Sequence, residues 1–393
     1  MRDSRFPSAD LFPTDRPLQA DAMIGREKDV DRIATALMGG VNTVLAGPRR
    51  TGKTTVADAA IAICAKEGAY VAPVDLFQAP NLASLAHMLS IALLANRAPL
   101  KRAIAEAKRS GRSILEALRT TATYRARADL GEDVELTLEL HLAERDPDGA
   151  LISAIRLAQR LADADGRRVI LFLDEFQDIA EKRFGDPDTT TRQIRSVLQR
   201  SKDVSVLFAG SIEHLMRDLF APSNRALSQF GSFHELGPIS VEQWTTGLRS
   251  LLSLDSATIT DDALDHLISL GEMHPRATML LAQQAHLASI EEITREIDNA
   301  MVVQALERSL SAERLRHEQQ LERIRASGRY AEQMAMRVAS DAELYEDLRP
   351  QQAARALNSL RNLGAIEHGE AHGQWFLIDP LFRRYLSRRR LSL

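Results

Sequence analysis

Cysteine is almost missing from this chain: Cys64 is the single one in 393 residues. An intrachain disulfide is therefore excluded, and so is a cysteine-based zinc centre. Cys64 lies in the apolar stretch Ala59 to Ala65 and reads as a buried, inert thiol. Long hydrophobic runs are missing too. No stretch of about 18 apolar residues occurs, so no membrane-spanning helix is expected. The first 22 residues hold Pro7, Pro13 and Pro17 among several charges and contain no apolar core of a secretory signal. A reduced, cytoplasmic setting is the expectation. Neither sign of charge dominates, with 50 Lys and Arg against 54 Asp and Glu. That excludes a uniformly basic nucleic-acid coat but leaves room for a local basic patch.

What is present is ordinary for a globular chain: 45% apolar and 26% charged residues. At roughly 150 residues per domain, two or three domains are expected. Arg26 to Met38 carries Val30, Ile33, Ala34 and Leu37 at helical spacing and stops at Gly39-Gly40. Val41 to Ala46 and Tyr70 to Leu76 read as strands, and Thr54 to Lys66 and Leu82 to Ala95 as helices. Val169 to Leu173 and Val204 to Ala209 are fully apolar runs of strand length, and Phe233 to Leu236 is a fifth candidate. Such runs, separated by helices, predict a parallel sheet covered on both faces.

A long insertion follows the second strand. From Arg97 to Asp129 there are nine basic and three acidic residues; from Leu130 to Asp148 there are one and seven. The basic half could serve nucleic acid or a partner, or the two halves could neutralise each other. Val134 to Leu140 alternates with period two and predicts an added strand. Residues 241–310 are nearly all helix formers and 311–338 a charged helical stretch. Pro350 to Leu363 predicts a helix, followed by strands Ala365–Gly369 and Gly373–Ile378 around a glycine turn. Helix, helix and hairpin form the pattern of a winged helix-turn-helix.

The sharpest signal is Gly47-Pro48-Arg49-Arg50-Thr51-Gly52-Lys53-Thr54, between a strand and a helix. It fits G-x-x-x-x-G-K-[ST]. Its glycines let successive backbone N–H groups turn toward phosphate oxygens, and the helix that follows adds its positive end. Lys53 would reach the β and γ phosphates, and the Thr54 hydroxyl would ligate Mg2+. Val169 to Leu173 then ends in Asp174-Glu175. Asp174 would join the Mg2+ shell and Glu175 would polarise the attacking water.

These segments resemble the archaeal-type ATPases of the STAND and origin-recognition-like branch of AAA+ P-loop ATPases. The resemblance rests on Gly47–Thr54 and on Leu173-Asp174-Glu175-Phe176-Gln177-Asp178. It extends to Phe208-Ala209-Gly210-Ser211 with His214-Leu215-Met216, Glu235-Leu236-Gly237-Pro238-Ile239-Ser240, and Gly25-Arg26-Glu27. Met273-His274-Pro275-Arg276 resembles the family's lid motif, with Met273 where that motif has glycine, and Ile378-Asp379-Pro380-Leu381-Phe382 its C-terminal ending. The implied fold is α/β: a P-loop AAA+-like parallel-sheet core with a helical lid and a C-terminal winged-helix domain. The implied limits are an N-terminal arm 1–20, a core 21–240 with the insertion 97–148, a lid 241–310 and a winged helix-turn-helix 311–393.

The resemblance also implies roles. Ile24, Gly25 and Arg26 would lie against adenine, and the P-loop with Thr55 and Pro238 would complete the nucleotide contacts. Ser211 would be the sensor-1 group near the γ-phosphate and Arg276 the sensor-2 arginine. A finger acting on a neighbouring copy would be Arg225 or Arg217, which implies an ATP-dependent homo-oligomer. Leu381 to Leu393 holds five arginines and no acid, and Gln351, Gln352, Arg355, Asn358, Arg361 and Asn362 line the expected recognition helix. These could contact double-stranded DNA, or the module could pack on a protein partner. The function expected is an ATP-hydrolysing switch that couples Mg2+–ATP to this module. The alternative is a DNA-binding or scaffold protein with structural nucleotide.

Overall fold

The structure, a computed structural model, describes residues 8–14, 23–48, 51–97, 109, 146–211, 213–221, 224–369 and 373–390. Arg49, Arg50, most of the insertion with its expected strand Val134 to Leu140, and the tip of the expected wing lie outside the described residues. The chain divides into two compact units, one of residues 29–47 and 56–236, the other of residues 1–28, 48–55 and 237–393. It opens with α1 (Ser8–Leu11), which belongs to the second of these.

The 29–236 unit is an α/β layer structure. Along the chain it holds α2 (Glu27–Met38) from Asp29 on, β1 (Thr43–Ala46), α3 (Lys53–Lys66) from Val56 on, β2 (Tyr70–Asp75) and α4 (Leu82–Leu94). Then follow α5 (Pro147–Asp165), β3 (Val169–Asp174), α6 (Pro187–Leu198), β4 (Val204–Gly210), α7 (Glu213–Phe220) and β5 (Ser232–Glu235). The five strands form one sheet in the order β2-β3-β4-β1-β5, every pair parallel. Val169, Leu171 and Leu173 enter a core shared with α4, α5 and α6, while the alternating Ile170 and Phe172 are buried on the other face. Phe176, Phe208 and Phe220 close that core with ring centroids 4.6 to 5.8 Å apart. Elsewhere Ser205 Oγ donates to the Leu37 carbonyl at 2.8 Å, tying β4 to α2. Cys64 is buried, its thiol over the Ala34 carbonyl, and burial pushes its pKa up to about 11. β2 lies at the sheet's edge among the described residues and has Pro73 in its middle.

The 237–393 segment builds two packed groups. The first is α8 (Val241–Leu254), β6 (Thr258–Ile259), α9 (Asp261–Gly271), α10 (Pro275–Glu291), β7 (Glu296–Ile297) and α11 (Asn299–Ala312). β6 and β7 form a two-residue parallel pair inside a stretch whose composition signals only helix. Trp244, Leu248, Leu267, Leu281 and Val302 fill the core. Leu11 and Phe12, within the expected N-terminal arm 1–20, are buried in the same core. Phe12 packs edge-on to His286, with ring centroids 5.9 Å apart, and Ser8 Oγ lies 2.9 Å from His286 Nδ1.

The second group is α12 (Arg314–Ser327), α13 (Ala331–Ala339), α14 (Pro350–Asn362), β8 (Ile366–His368), β9 (Trp375–Leu377) and α15 (Pro380–Arg390). β8 and β9 pair antiparallel, Glu367 opposite Phe376. Helices followed by a two-stranded ribbon reproduce the order that the sequence predicted. A small buried patch of Ala277, Leu280, Leu310 and Leu381 joins α15 to α10 and α11. Among the described residues, no helix is long and apolar enough to cross a membrane.

Candidate functional site

The parallel register brings the expected acids to one edge of the sheet. Ala46 lies opposite Gly210, and Leu173 opposite Phe208, so Asp174 ends β3 while Gly47, Glu175 and Ser211 follow the carboxyl ends of neighbouring strands. In open α/β sheets this edge is where ligands sit. Asp174 Oδ1 accepts the Glu175 backbone N–H at 2.9 Å. Glu175 then turns with φ 50, a left-handed conformation that is uncommon for a residue with a side chain. That turn opens the short 3-10 segment Phe176–Ala180.

The turn aims the Glu175 carboxylate at the end of β4. Ser211 Oγ donates to Glu175 Oε2 at 2.6 Å. Gln177 Nε2 donates to the same oxygen at 2.6 Å, and Gln177 Oε1 accepts the Ser211 N–H at 3.2 Å. The expected catalytic acid and the expected sensor-1 serine are thus in contact. Gln177, which continues the Asp174-Glu175 segment, stands between them. Beyond it, Asp178 takes Arg183 Nη2 at 2.8 Å. Burial, with the nearby Glu181 charge, raises the Asp178 pKa to about 6 despite Arg183. Arg183 also donates to the Ala79 carbonyl at 2.9 Å, in the turn after β2.

Residues 48–55, which follow Gly47, belong to the other unit. Gly52 has φ 90, a conformation that favours glycine. Lys53 is 6% exposed and opens α3. Its Nζ folds back to donate to the Pro48 carbonyl at 2.5 Å, which Thr51 Oγ1 also reaches at 2.8 Å. Thr54 is exposed on the first turn of α3, and Thr55 is buried. Arg26 is buried and its Nη2 donates to the Thr51 carbonyl at 3.4 Å, so the upstream motif touches the loop. Gly25 has φ 64, and a Cβ there would come within 2.9 Å of the Gln243 side chain. An open cleft of about 810 Å3 lies beside it, lined by Met23, Ile24, Gly25, Ser240, Gln243 and Gly247. Pro238 is exposed just ahead of α8.

The three arginines expected near phosphate are each held by a carboxylate. Arg225 pairs with Asp188 at 2.7 Å, Arg217 with Glu235 at 2.5 Å, and Arg276 with Glu313 at 2.7 Å. Met273 takes φ 57, so it adopts the left-handed turn that glycine would favour in the lid motif. His274 caps α10, its Nδ1 accepting from the Ala277 N–H at 3.3 Å. Three of the C-terminal arginines are also engaged. Arg388 is bidentate to Glu307 at 2.6 and 2.7 Å, Arg383 pairs with Glu272, and Arg384 donates to the Leu270 carbonyl at 3.3 Å. On α14, Gln351, Arg355, Asn358 and Asn362 are exposed. Arg361 lies 3.5 Å from Glu367.

No protein-family model matches the sequence, and no curated protein matches it. Solved structures do. The Walker-type ATPase of Pyrococcus abyssi superposes with a TM-score of 0.71 at 14% identity, covering 96% of this chain and 99% of that one. The ORC2 protein of Aeropyrum pernix, in its ADPNP–ADP complexes, does so with a TM-score of 0.54 at 15% identity, covering 98% and 99%. The five-stranded parallel sheet, its helices and the full-length match together give this chain the fold of the archaeal Walker-type and ORC-like AAA+ P-loop ATPases.

Proposed function

We propose that the chain binds Mg2+–ATP, hydrolyses it, and uses the exchange of ATP for ADP to move its C-terminal helices and ribbon. The observation that carries this reading is the loop before α3. It combines a left-handed Gly52 with a buried ammonium at the first position of a helix. A lysine ammonium buried at a helix N-terminus, next to a left-handed glycine, is the arrangement that a phosphate anion would complete. On ATP binding Lys53 would exchange the Pro48 carbonyl for phosphate oxygens. The cleft beside Ile24 and Gly25 is of nucleotide size. The complexes of the Aeropyrum protein with ADPNP and ADP support the same ligand class.

Thr54 and Asp174 offer a hydroxyl and a carboxylate, the hard oxygen donors that Mg2+ takes. The ion, when bound, would neutralise charge on the β and γ phosphates. Glu175 would accept a proton from the attacking water, and the bond from the γ phosphorus to its bridging oxygen would break to give ADP and phosphate. Arg276, Arg225 and Arg217 act on nucleotide in this reading only by exchanging Glu313, Asp188 and Glu235 for phosphate. A finger arginine would further require an ATP-dependent homo-oligomer. The proposed lid is 241–310 and the proposed effector module 311–393, whose α14 face would meet duplex DNA or a protein.

Calorimetry with Mg2+–ATP and with ADP, paired with phosphate release, tests the reading. Wild type should give heat and slow turnover, Lys53→Ala no heat, and Glu175→Gln heat with turnover cut to a small residual rate. Absence of heat with wild type sinks it. Heat and co-purifying nucleotide with no turnover under any condition would favour the alternative of a structural nucleotide.

A further inference from the structure

Gln177 is 2% exposed, yet every polar atom of its side chain is used. Its carbonyl oxygen accepts the Ser211 N–H at 3.2 Å, and its amide nitrogen reaches Glu175 Oε2 at 2.6 Å and Asp178 Oδ1 at 3.2 Å. This pattern fixes the amide's orientation, because the reverse flip would set an oxygen against two carboxylates. The seat is tight. A Cβ on Gly210 would come within 2.6 Å of Gln177 Oε1 and 2.4 Å of Met216 Sδ, so the bare backbone at the end of β4 makes room for the amide.

The consequence falls on Glu175. Two donors, Gln177 Nε2 and Ser211 Oγ, meet on Oε2. Pinning one oxygen of a carboxylate fixes the plane of the group and the direction of the other oxygen. Charge-assisted bonds this short are stronger than neutral ones. We infer that Gln177 is the positioning residue that aims Oε1 of Glu175 at the attacking water, and that it transmits the position of Ser211 to that carboxylate. The inference rests on the ATPase reading, in which Glu175 is the base. It also gives a route from the turn after β2, since Asp178 and Arg183 continue the network to Ala79.

The test is a set of variants assayed for phosphate release and, by calorimetry, for ADP binding. Gln177→Ala should lower kcat by about 10²-fold, the scale of a misplaced catalytic group, with KM and ADP affinity within about threefold of wild type. Gln177→Glu keeps the shape and the acceptor for the Ser211 N–H but loses the donor to Glu175, and it should be slow as well. In a Glu175→Gln background, Gln177→Ala should add less than about a twofold loss, because the group it positions has gone. Gln177→Glu turning over at the wild-type rate would overturn the inference. So would losses from Gln177→Ala and Glu175→Gln that multiply, the mark of a general structural defect. Wild type without turnover, or Glu175→Gln with normal turnover, would instead overturn the ATPase reading itself.

Discussion

Arg276 and Glu313 are joined by two parallel hydrogen bonds, Nη1 to Oε2 at 2.7 Å and Nη2 to Oε1 at 2.9 Å. Both side chains are largely shielded, at 15% and 11% exposure. Glu313 also receives Arg316, whose Nη2 reaches Asp379 Oδ2 at 2.9 Å. Asp379 in turn accepts the Leu381 and Phe382 N–H groups at the start of α15. Burial works against charge on Asp379, but Arg316 and its neighbours hold the carboxyl below its ordinary range. Removing one partner of a buried pair strands the other. Glu313→Ala should therefore cost about 3 kcal/mol, read as a lower urea midpoint for the segment that contains α10, α12 and α15. A midpoint within error of wild type would show that Arg276 and Arg316 find other partners.

A Cβ at position 25 would meet Gln243 at 2.9 Å and Ile239 at 3.0 Å, in a backbone at φ 64. Gly25→Ala combines overpacking with left-handed strain, so it should cost about 2 kcal/mol. It should also narrow the cleft beside Ile24 and weaken ATP binding at least about tenfold. Thermal melting with and without Mg2+–ATP separates the two effects: the apo midpoint falls, and the upward shift on adding nucleotide shrinks.

His317 is fully buried against Phe382 and Tyr385, with ring centroids 5.5 and 5.3 Å away. Burial depresses its pKa to about 4. In the unfolded chain imidazole takes its proton near pH 6.5. Stability from the neutral ring is thus whole above pH 6.5 and is lost as pH falls from there toward 4, by about 3 kcal/mol in all. His317→Phe should flatten that part of the pH–stability curve. An unchanged acid slope would remove the imidazole from the account.

Phe12 is fully buried, and Gln283 Nε2 donates to its carbonyl at 2.9 Å. Phe12→Ala should cost about 3 to 5 kcal/mol, the range for a large cavity, and should make residues 8–14 readily cut by protease. Slow cutting like that of wild type would mean that α1 contributes little to this core.

The arginines of α15 and α14 should behave differently toward duplex DNA. Arg388 is bound at both terminal nitrogens by Glu307, whereas Arg355 is exposed on α14. If α14 meets phosphate, Arg355→Ala should reduce the salt slope of duplex affinity by about 1, and Arg388→Ala should leave it unchanged. A flat slope in wild type would point the module to a protein partner.

The strands β3 and β4 were legible because both sheet faces are covered, which writes an unbroken apolar run into the sequence. β5 was found one residue late: Ser232 to Glu235 is half-exposed and carries little apolar signal. β6 and β7 were invisible, since two residues show no period. Burial of Leu11 and Phe12 depends on α10, hundreds of residues away, and no local pattern can announce it. The Gly47–Thr54 and Asp174-Glu175 segments stand out in the sequence because the proposed phosphate chemistry dictates residue types at fixed spacing. Spacing names residues but not their partners. The resemblance implies a phosphate for Arg276, and the C-terminal arginines are open to duplex DNA or to a protein; in the structure Arg276, Arg388 and Arg383 pair with Glu313, Glu307 and Glu272. The contact of Gln177 with Ser211 could not be read from the sequence, because β4 meets it only in the folded sheet.

Pro73 offers no amide hydrogen in the middle of the outermost described strand. A second chain trying to extend the sheet along β2 would find one rung of the ladder missing. Fibre-like growth along that margin is disfavoured without spending a charged residue to prevent it. Ordered self-association would therefore have to use side-chain surfaces rather than continuous backbone pairing along β2.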